Sequence, residues 1–243
     1  MDFYQRYEMF SLMKKVNVKE DEKFEYEVVN KLDEDFLSKE LSIYPLFSEA
    51  NYHKAVLEGI SFSDGIKTYY LSKEDVLNSS AIRYLVGTSK KVVYDLKAIK
   101  IAFIKLGIQG INALDFKIAA NLVNCNLKED LDSIFNSYGY ILPSLKEDKI
   151  KHASYVSFVM SKVFKTILEK LDEYDLKDLY YNLELPLVDV LTKMEDNGVA
   201  INKEQLDVLG VEYRFKLNNL ENEIFKEVGM EFNVASPKQV AEI

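Results

Sequence analysis

The sequence predicts an α/β fold, a mixed sheet with flanking helices, followed by an all-helical segment. Two observations carry this. Between residues 41 and 125, β-prone runs alternate with helical ones, and beyond about 125 only the helical period remains. The second is the stretch ASYVSFVMSKVFKTILEKL, in which Ala153, Val156, Met160, Val163, Ile167 and Leu171 recur at alternating three- and four-residue steps, one long core-facing stripe.

Taken in order, FYQRYEMFSLMKKV places Phe3, Tyr7, Phe10, Leu12 and Met13 near helical spacing, so a short helix opens the chain. The charged run that follows reads as extended, turning helical near 30–40. LSIYPLFSE is an apolar strand whose Pro45 points to an edge or distorted position. GISFSDGIKTYYL is a hairpin, with Gly65 able to take positive φ in the turn. Ser72 caps a short helix over SKEDVLNSS. KKVVYD is a buried strand, and Asp95 is placed to cap the mostly apolar helix LKAIKIAFIKLG. INALDFKIAANLVN is a strand end and another helix.

Near the C-terminus, ELPLVDVLTKMEDNGVAIN puts Leu187, Val190, Leu191 and Met194 at i, i+3, i+4 and i+7. Pro186 suits the first helical turn and Gly198 the left-handed position after the last. Asn202 and Gln205 begin the next helix as a capping box. There Leu206, Leu209, Tyr213, Leu217, Leu220 and Ile224 follow a heptad seam, and Gly229 ends it. Ser236 caps a third helix that has run only one turn by Ile243, which reads as truncation.

Composition narrows the function. The net charge is −9, which argues against DNA binding by this chain alone. A single cysteine and two histidines make neither an internal disulfide nor a zinc site. Without a signal peptide or an apolar run of ~18 residues the chain reads as cytoplasmic and not membrane-bound. His53, in NYHKA, lacks a nucleophile or metal partner in sequence and reads as structural or at the surface. His152 is expected to be partly exposed, Cys125 to pack as a small hydrophobe, and Tyr69, Tyr70, Tyr180 and Tyr181 to serve sheet or core.

LELPLVDVLTKMEDNGVAINKEQL and EIFKEVGMEFNVASPKQVAEI resemble the start of the polymerase domain, at the base of the thumb, in bacterial DNA polymerase I. The resemblance implies a connecting segment over residues 1–40, a 3′→5′ exonuclease-like, RNase H-like domain over 41–181, and the first helices of the polymerase domain over 182–243. It also implies that the helix of 203–228 packs back on that of 186–197. The chain is thus expected to be an internal piece of a DNA-directed DNA polymerase of replication and repair. That enzyme would act on primer–template DNA with Mg2+ held in a palm, which these residues do not contain.

Proofreading in this family is two-metal hydrolysis, with carboxylates binding the ions. Counting back from GISF, the family's Asp-x-Glu falls on Tyr44 and Leu46. Counting back from Gly107-Ile108, its second-motif Asp falls on Ile99, one turn beyond Asp95. Counting back from Pro186, its third-motif Asp falls on Val156 and the accompanying Tyr on His152. None of these carries a carboxylate, so no metal or other cofactor is expected in this chain. It is read as an inactive exonuclease-like scaffold with weak or no DNA binding, contacting palm and thumb. Two rivals stand beside this reading: a proofreading exonuclease with displaced ligands such as Asp95 and Glu49, and a non-catalytic helical interaction module.

Overall fold

A computed structural model describes residues 24–87, 90–126, 128 and 130–243. The helix expected over residues 3–16 lies outside the described residues. The chain forms two compact units, residues 1–197 and 198–243. The first therefore runs past the 181/182 boundary expected from the sequence.

The first unit is built on a six-stranded mixed sheet of order β1-β4-β3-β2-β5-β6. The strands are β1 (Glu27–Val28), β2 (Leu41–Phe47), β3 (Leu57–Ser63), β4 (Thr68–Ser72), β5 (Lys91–Val93) and β6 (Leu114–Asp115). The hairpins β2–β3 and β3–β4 are antiparallel, while β1–β4, β2–β5 and β5–β6 are parallel. Gly65 takes φ +83° in the β3–β4 turn, as the Ser-Asp-Gly sequence requires. Pro45 does not mark an edge, because β2 lies between β3 and β5. It is tolerated because the β5 ladder ends at Ile43, so residue 45 has no partner to lose on that side. The expected distortion does occur next to it, as a register shift between Leu46 and Phe47.

One face of the sheet carries Leu41, Ile43, Ile60, Phe62, Leu71 and Val93. It is covered by α1 (Glu34–Leu37), α2 (Lys73–Asn78), α3 (Ser80–Val86) and α4 (Leu96–Ile104). The Ser72 hydroxyl accepts from Asp75 N–H and starts α2. Asp95 starts α4 from the left-handed region, φ 59°, and its carboxylate accepts from Ala98 N–H. Aspartate tolerates that conformation better than most residues.

The other face packs on α5 (Phe116–Val123), α6 (Leu131–Ser137) and the 25-residue α7 (Lys149–Glu173). The whole expected α7 stripe is buried, from Ala153 to Leu171. Burying each large apolar side chain contributes about 1.5–3 kcal/mol, so α7 anchors this layer. Where α7 crosses β3 the contact is small and polar: Ser61 Oγ and Ser157 Oγ lie 2.6 Å apart.

After α7, a π-helical turn over Leu179–Glu184 runs without a break into α8 (Leu185–Asn197). Pro186 is therefore inside a continuous helix and not at its first turn. The turn upstream is widened, with Leu185 N–H donating to Tyr180 O instead of to the residue four back. Such widening relieves the clash that a proline ring makes with the preceding turn. The expected apolar stripe of α8 is also not its buried face: Leu187, Val190, Leu191 and Met194 are exposed, while Val188 and Thr192 are buried. Gly198 follows with φ +67°.

The second unit consists of α9 (Lys203–Val228) and α10 (Pro237–Ala241). Asn202 caps α9 by accepting from Gln205 N–H at 2.9 Å, and Gly229 ends it with φ +80°. Phe225 and Phe232 stack edge-on, and Gln239 Oε1 accepts from Asn233 N–H at 2.7 Å, closing the EFNVASPKQ turn. Ser236 caps α10.

Candidate functional site

The C-terminal ends of β2 and β5 open on the α7 face of the sheet. The register pairs Ile43 with Val93, so the next residues, Tyr44 and Tyr94, lie side by side with ring centroids 6.4 Å apart. Alternation along β2 turns Tyr44 and Leu46 to the same face. Leu46 packs with Tyr70 and Ala153, and Tyr44 packs against both the Leu46 group and the larger cluster that contains Val156. His152, on the first turn of α7, lies with its ring 6.3 Å from that of Tyr44.

Three of the sequence-derived positions thus share one face: Tyr44, Leu46 and Val156. Ile99 does not join them. It is buried beside Leu41, Ile43 and Phe103 in the core on the opposite face of the sheet. Counting along a helix gives its length reliably, yet an error of one residue turns a side chain by about 100°, from one face to another.

The chemistry of the converging side chains is apolar or neutral. Leu46 and Val156 offer carbon only, and both are buried. Burial pushes the Tyr44 phenol up to about 12, so it stays protonated at neutral pH. His152 is buried rather than partly exposed, because its Nδ1 is drawn to Pro143 O at 2.8 Å. Two hard divalent ions require several oxygen anions, and this donor set does not fit them. Among the described residues no group of three or more His, Cys, Asp or Glu side chains is arranged to hold a metal ion.

Of the nearby carboxylates, Asp95 and Asp115 have structural partners. Asp95 caps α4 and faces Lys117 Nζ at 3.4 Å. Glu49 is exposed in the turn after β2, where Ser48 Oγ accepts from Val56 N–H. Asp115, at the end of β6, is buried; burial raises its carboxyl to about 6, against the pull of backbone N–H donors from Ile118 and Leu96. Sequence reading passed over Asp115. The Leu-Asp-Phe turn into α5 marks it as a cap, but nothing local reveals its second bond, to α4.

Other expectations are corrected here. Cys125 is exposed, in the turn that follows α5. The reading of His53 as a surface or structural residue stands, its Nε2 lying 3.2 Å from Glu195 on α8. Tyr70 and Tyr180 are buried and Tyr69 packs against the core, but Tyr181 is exposed on the outer side of the π-helical turn.

Residues 43–150 match the family model described as DNA polymerase I, ribonuclease H-like domain. These residues carry the ribonuclease H-like domain of that family, and the chain as a whole is similar to bacterial DNA polymerase I. It is 29% identical over 236 residues to DNA polymerase I of Streptococcus pneumoniae serotype 4, covering 90% of this chain and 27% of that protein. The chain spans about a quarter of the length of the curated relatives it matches. The fold recurs in solved structures. The POL domain of Pol1 from M. smegmatis, in complex with DNA primer-template and dNTP, superposes with TM-score 0.62 at 19% identity, covering 84% of this chain and 36% of that one. Brucella melitensis NrnC with bound Mg2+ gives TM-score 0.59 at 13% identity over 72% of this chain and 96% of that one. Among the described residues no helix is long and apolar enough to cross a membrane.

Proposed function

We propose that this chain supplies a catalytically silent exonuclease-type domain that supports a DNA polymerase I, with the first helices of the polymerase domain following it. The observation that carries the reading is the donor set at the ends of β2 and β5 and on α7. Tyr44, Leu46 and Val156 stand on one face and are neutral or carbon-only. A two-metal hydrolase needs anionic oxygens there. Asp95, the nearest substitute, is committed to Ala98 N–H and Lys117.

The enzyme as a whole would extend a primer on a DNA template in replication and repair, in the cytoplasm, using Mg2+ held by palm carboxylates. The relatives' names and the primer-template complex of the M. smegmatis domain support that wider role. In this reading the chain itself would hold neither the metal nor the polymerising site.

The test is digestion of end-labelled single-stranded DNA by the purified chain with Mg2+ or Mn2+. The expected result is no shortening above the protein-free control. Metal-dependent shortening that disappears in Asp95→Ala would overturn the proposal in favour of an exonuclease with displaced ligands.

A further inference from the structure

The attachment of α8 to the first unit is unusual in its balance of forces. Only Val188 and Thr192 of α8 are buried. Thr192 satisfies its hydroxyl within the helix, donating to Val188 O at 2.7 Å. The apolar residues Leu187, Val190, Leu191 and Met194 are exposed and add little to the docking. Val188 joins the core and Leu185 packs against the α7 layer; toward the C-terminal half of α8 what remains is ionic, and it centres on Glu195. Its Oε2 accepts from Tyr52 Oη at 3.0 Å and lies 3.2 Å from His53 Nε2. Its Oε1 is paired with Lys97 of α4. Lys97, the strongest influence, holds the Glu195 carboxyl below the ordinary carboxylate range.

Two further links surround this junction. Asp189 pairs with Lys100, also on α4. Lys105, just past α4, donates to the carbonyls of Tyr52 and His53. The turn after β2, α4 and the last turn of α8 thus meet on one carboxylate. Beside it is an open groove, lined by Lys100, Asp189, Lys193 and Asp196 together with Ile104 and Ile108.

We propose that the Glu195 junction is a salt-sensitive latch: it fastens the C-terminal half of α8 to α4 and the Tyr52-His53 turn, and its release lets α8 lift while the sheet stays folded. Partly exposed ion pairs are individually weak and are screened over ~3 Å at 1 M salt, against ~10 Å at 0.1 M. Buried apolar layers such as that of α7 are not weakened in this way. The latch sits where the chain leaves the first unit, so its state sets how firmly that exit is held. The inference is independent of whether the domain hydrolyses DNA.

Amide hydrogen exchange on the full chain tests it. In going from about 50 mM to about 1 M NaCl, amides of residues 189–197 should exchange several-fold to about tenfold faster, while those of α7 stay within twofold. At low salt Glu195→Gln should reproduce that change, and Glu195→Gln with Asp189→Asn should leave little further salt response. Unchanged protection of 189–197 in high salt would overturn the latch, as would loss of protection in α7 to the same degree. The wild-type salt comparison decides the matter even if a variant fails to fold.

Discussion

Asp115 accepts from Leu96 N–H at 2.6 Å and from Ile118 N–H at 2.9 Å, so one carboxyl caps two helices on opposite faces of the sheet. Desolvation nonetheless dominates and raises its carboxyl from 3.8 to about 6. Because the folded value lies above the unfolded one, the associated stabilisation is complete below about pH 4 and is lost as pH rises through about 6. Carboxyl NMR should give Asp115 a midpoint near 6. Urea unfolding of Asp115→Asn should lack the pH slope that the wild type shows between about 4 and 6, a difference on the order of 3 kcal/mol. A midpoint at or below 4 would contradict this. Gly59 gives a second prediction at the same scale. A Cβ there would lie 2.2 Å from Tyr70 Oη and 2.5 Å from the Leu71 carbonyl oxygen, and the latter is backbone that cannot swing aside. Gly59→Ala should therefore destabilise by about 1–3 kcal/mol or more in chemical denaturation, through overpacking between β3 and β4.

The elements were legible to different degrees, for physical reasons. The α7 stripe from Ala153 to Leu171 was readable because a sheet covers that whole face. The α8 stripe had the same spacing, but periodicity records which face is apolar, not which face finds a partner. There Val188, Thr192 and Glu195 face the rest of the first unit instead. The caps at Ser72, Asp95, Asn202 and Ser236 were all readable, since each side chain accepts from the backbone N–H three residues on. Of the positions counted from the sequence, Tyr44, Leu46 and Val156 come to one face through strand alternation and the α7 stripe, whereas Ile99 lies on the other. The start of α4 at Asp95 was readable, but a count back from Gly107-Ile108 does not fix which face of α4 a residue occupies. The π-helical turn was invisible in sequence, because its cause, Pro186, equally suits a helix start. Its function in the fold can be measured. The turn holds Tyr180, fully buried, with its hydroxyl accepting from Asp115 N–H and donating to Asp115 O, each at 3.0 Å. Tyr180→Phe leaves both groups of a buried strand end without that partner and should cost about 1–3 kcal/mol in thermal or urea unfolding. A loss under ~0.5 kcal/mol would mean that β6 does not depend on this turn.

At the scale of the whole molecule, charge decides what the chain can do with nucleic acid. The net charge is −9. Many of its lysines are already committed: Lys39 to Asp64, Lys97 to Glu195, Lys100 to Asp189, Lys117 to Asp95 and Lys149 to Glu58. A phosphate track needs unpaired cations in a row, since affinity comes largely from counterions released as each phosphate is neutralised. Here each of these paired lysines would first have to leave a carboxylate to meet DNA, and the excess of acidic side chains would repel the duplex. Proteins that bind DNA without sequence preference typically do so with dissociation constants of about 10⁻⁴–10⁻⁶ M at physiological salt. This chain should fall at or beyond the weak end of that range, about 10⁻⁴ M, for a fluorescent primer–template in an anisotropy titration near 150 mM salt. Binding in the low micromolar range with a steep salt slope would reveal a basic track and remove the argument that support of the polymerase, rather than contact with DNA, is the contribution of this domain.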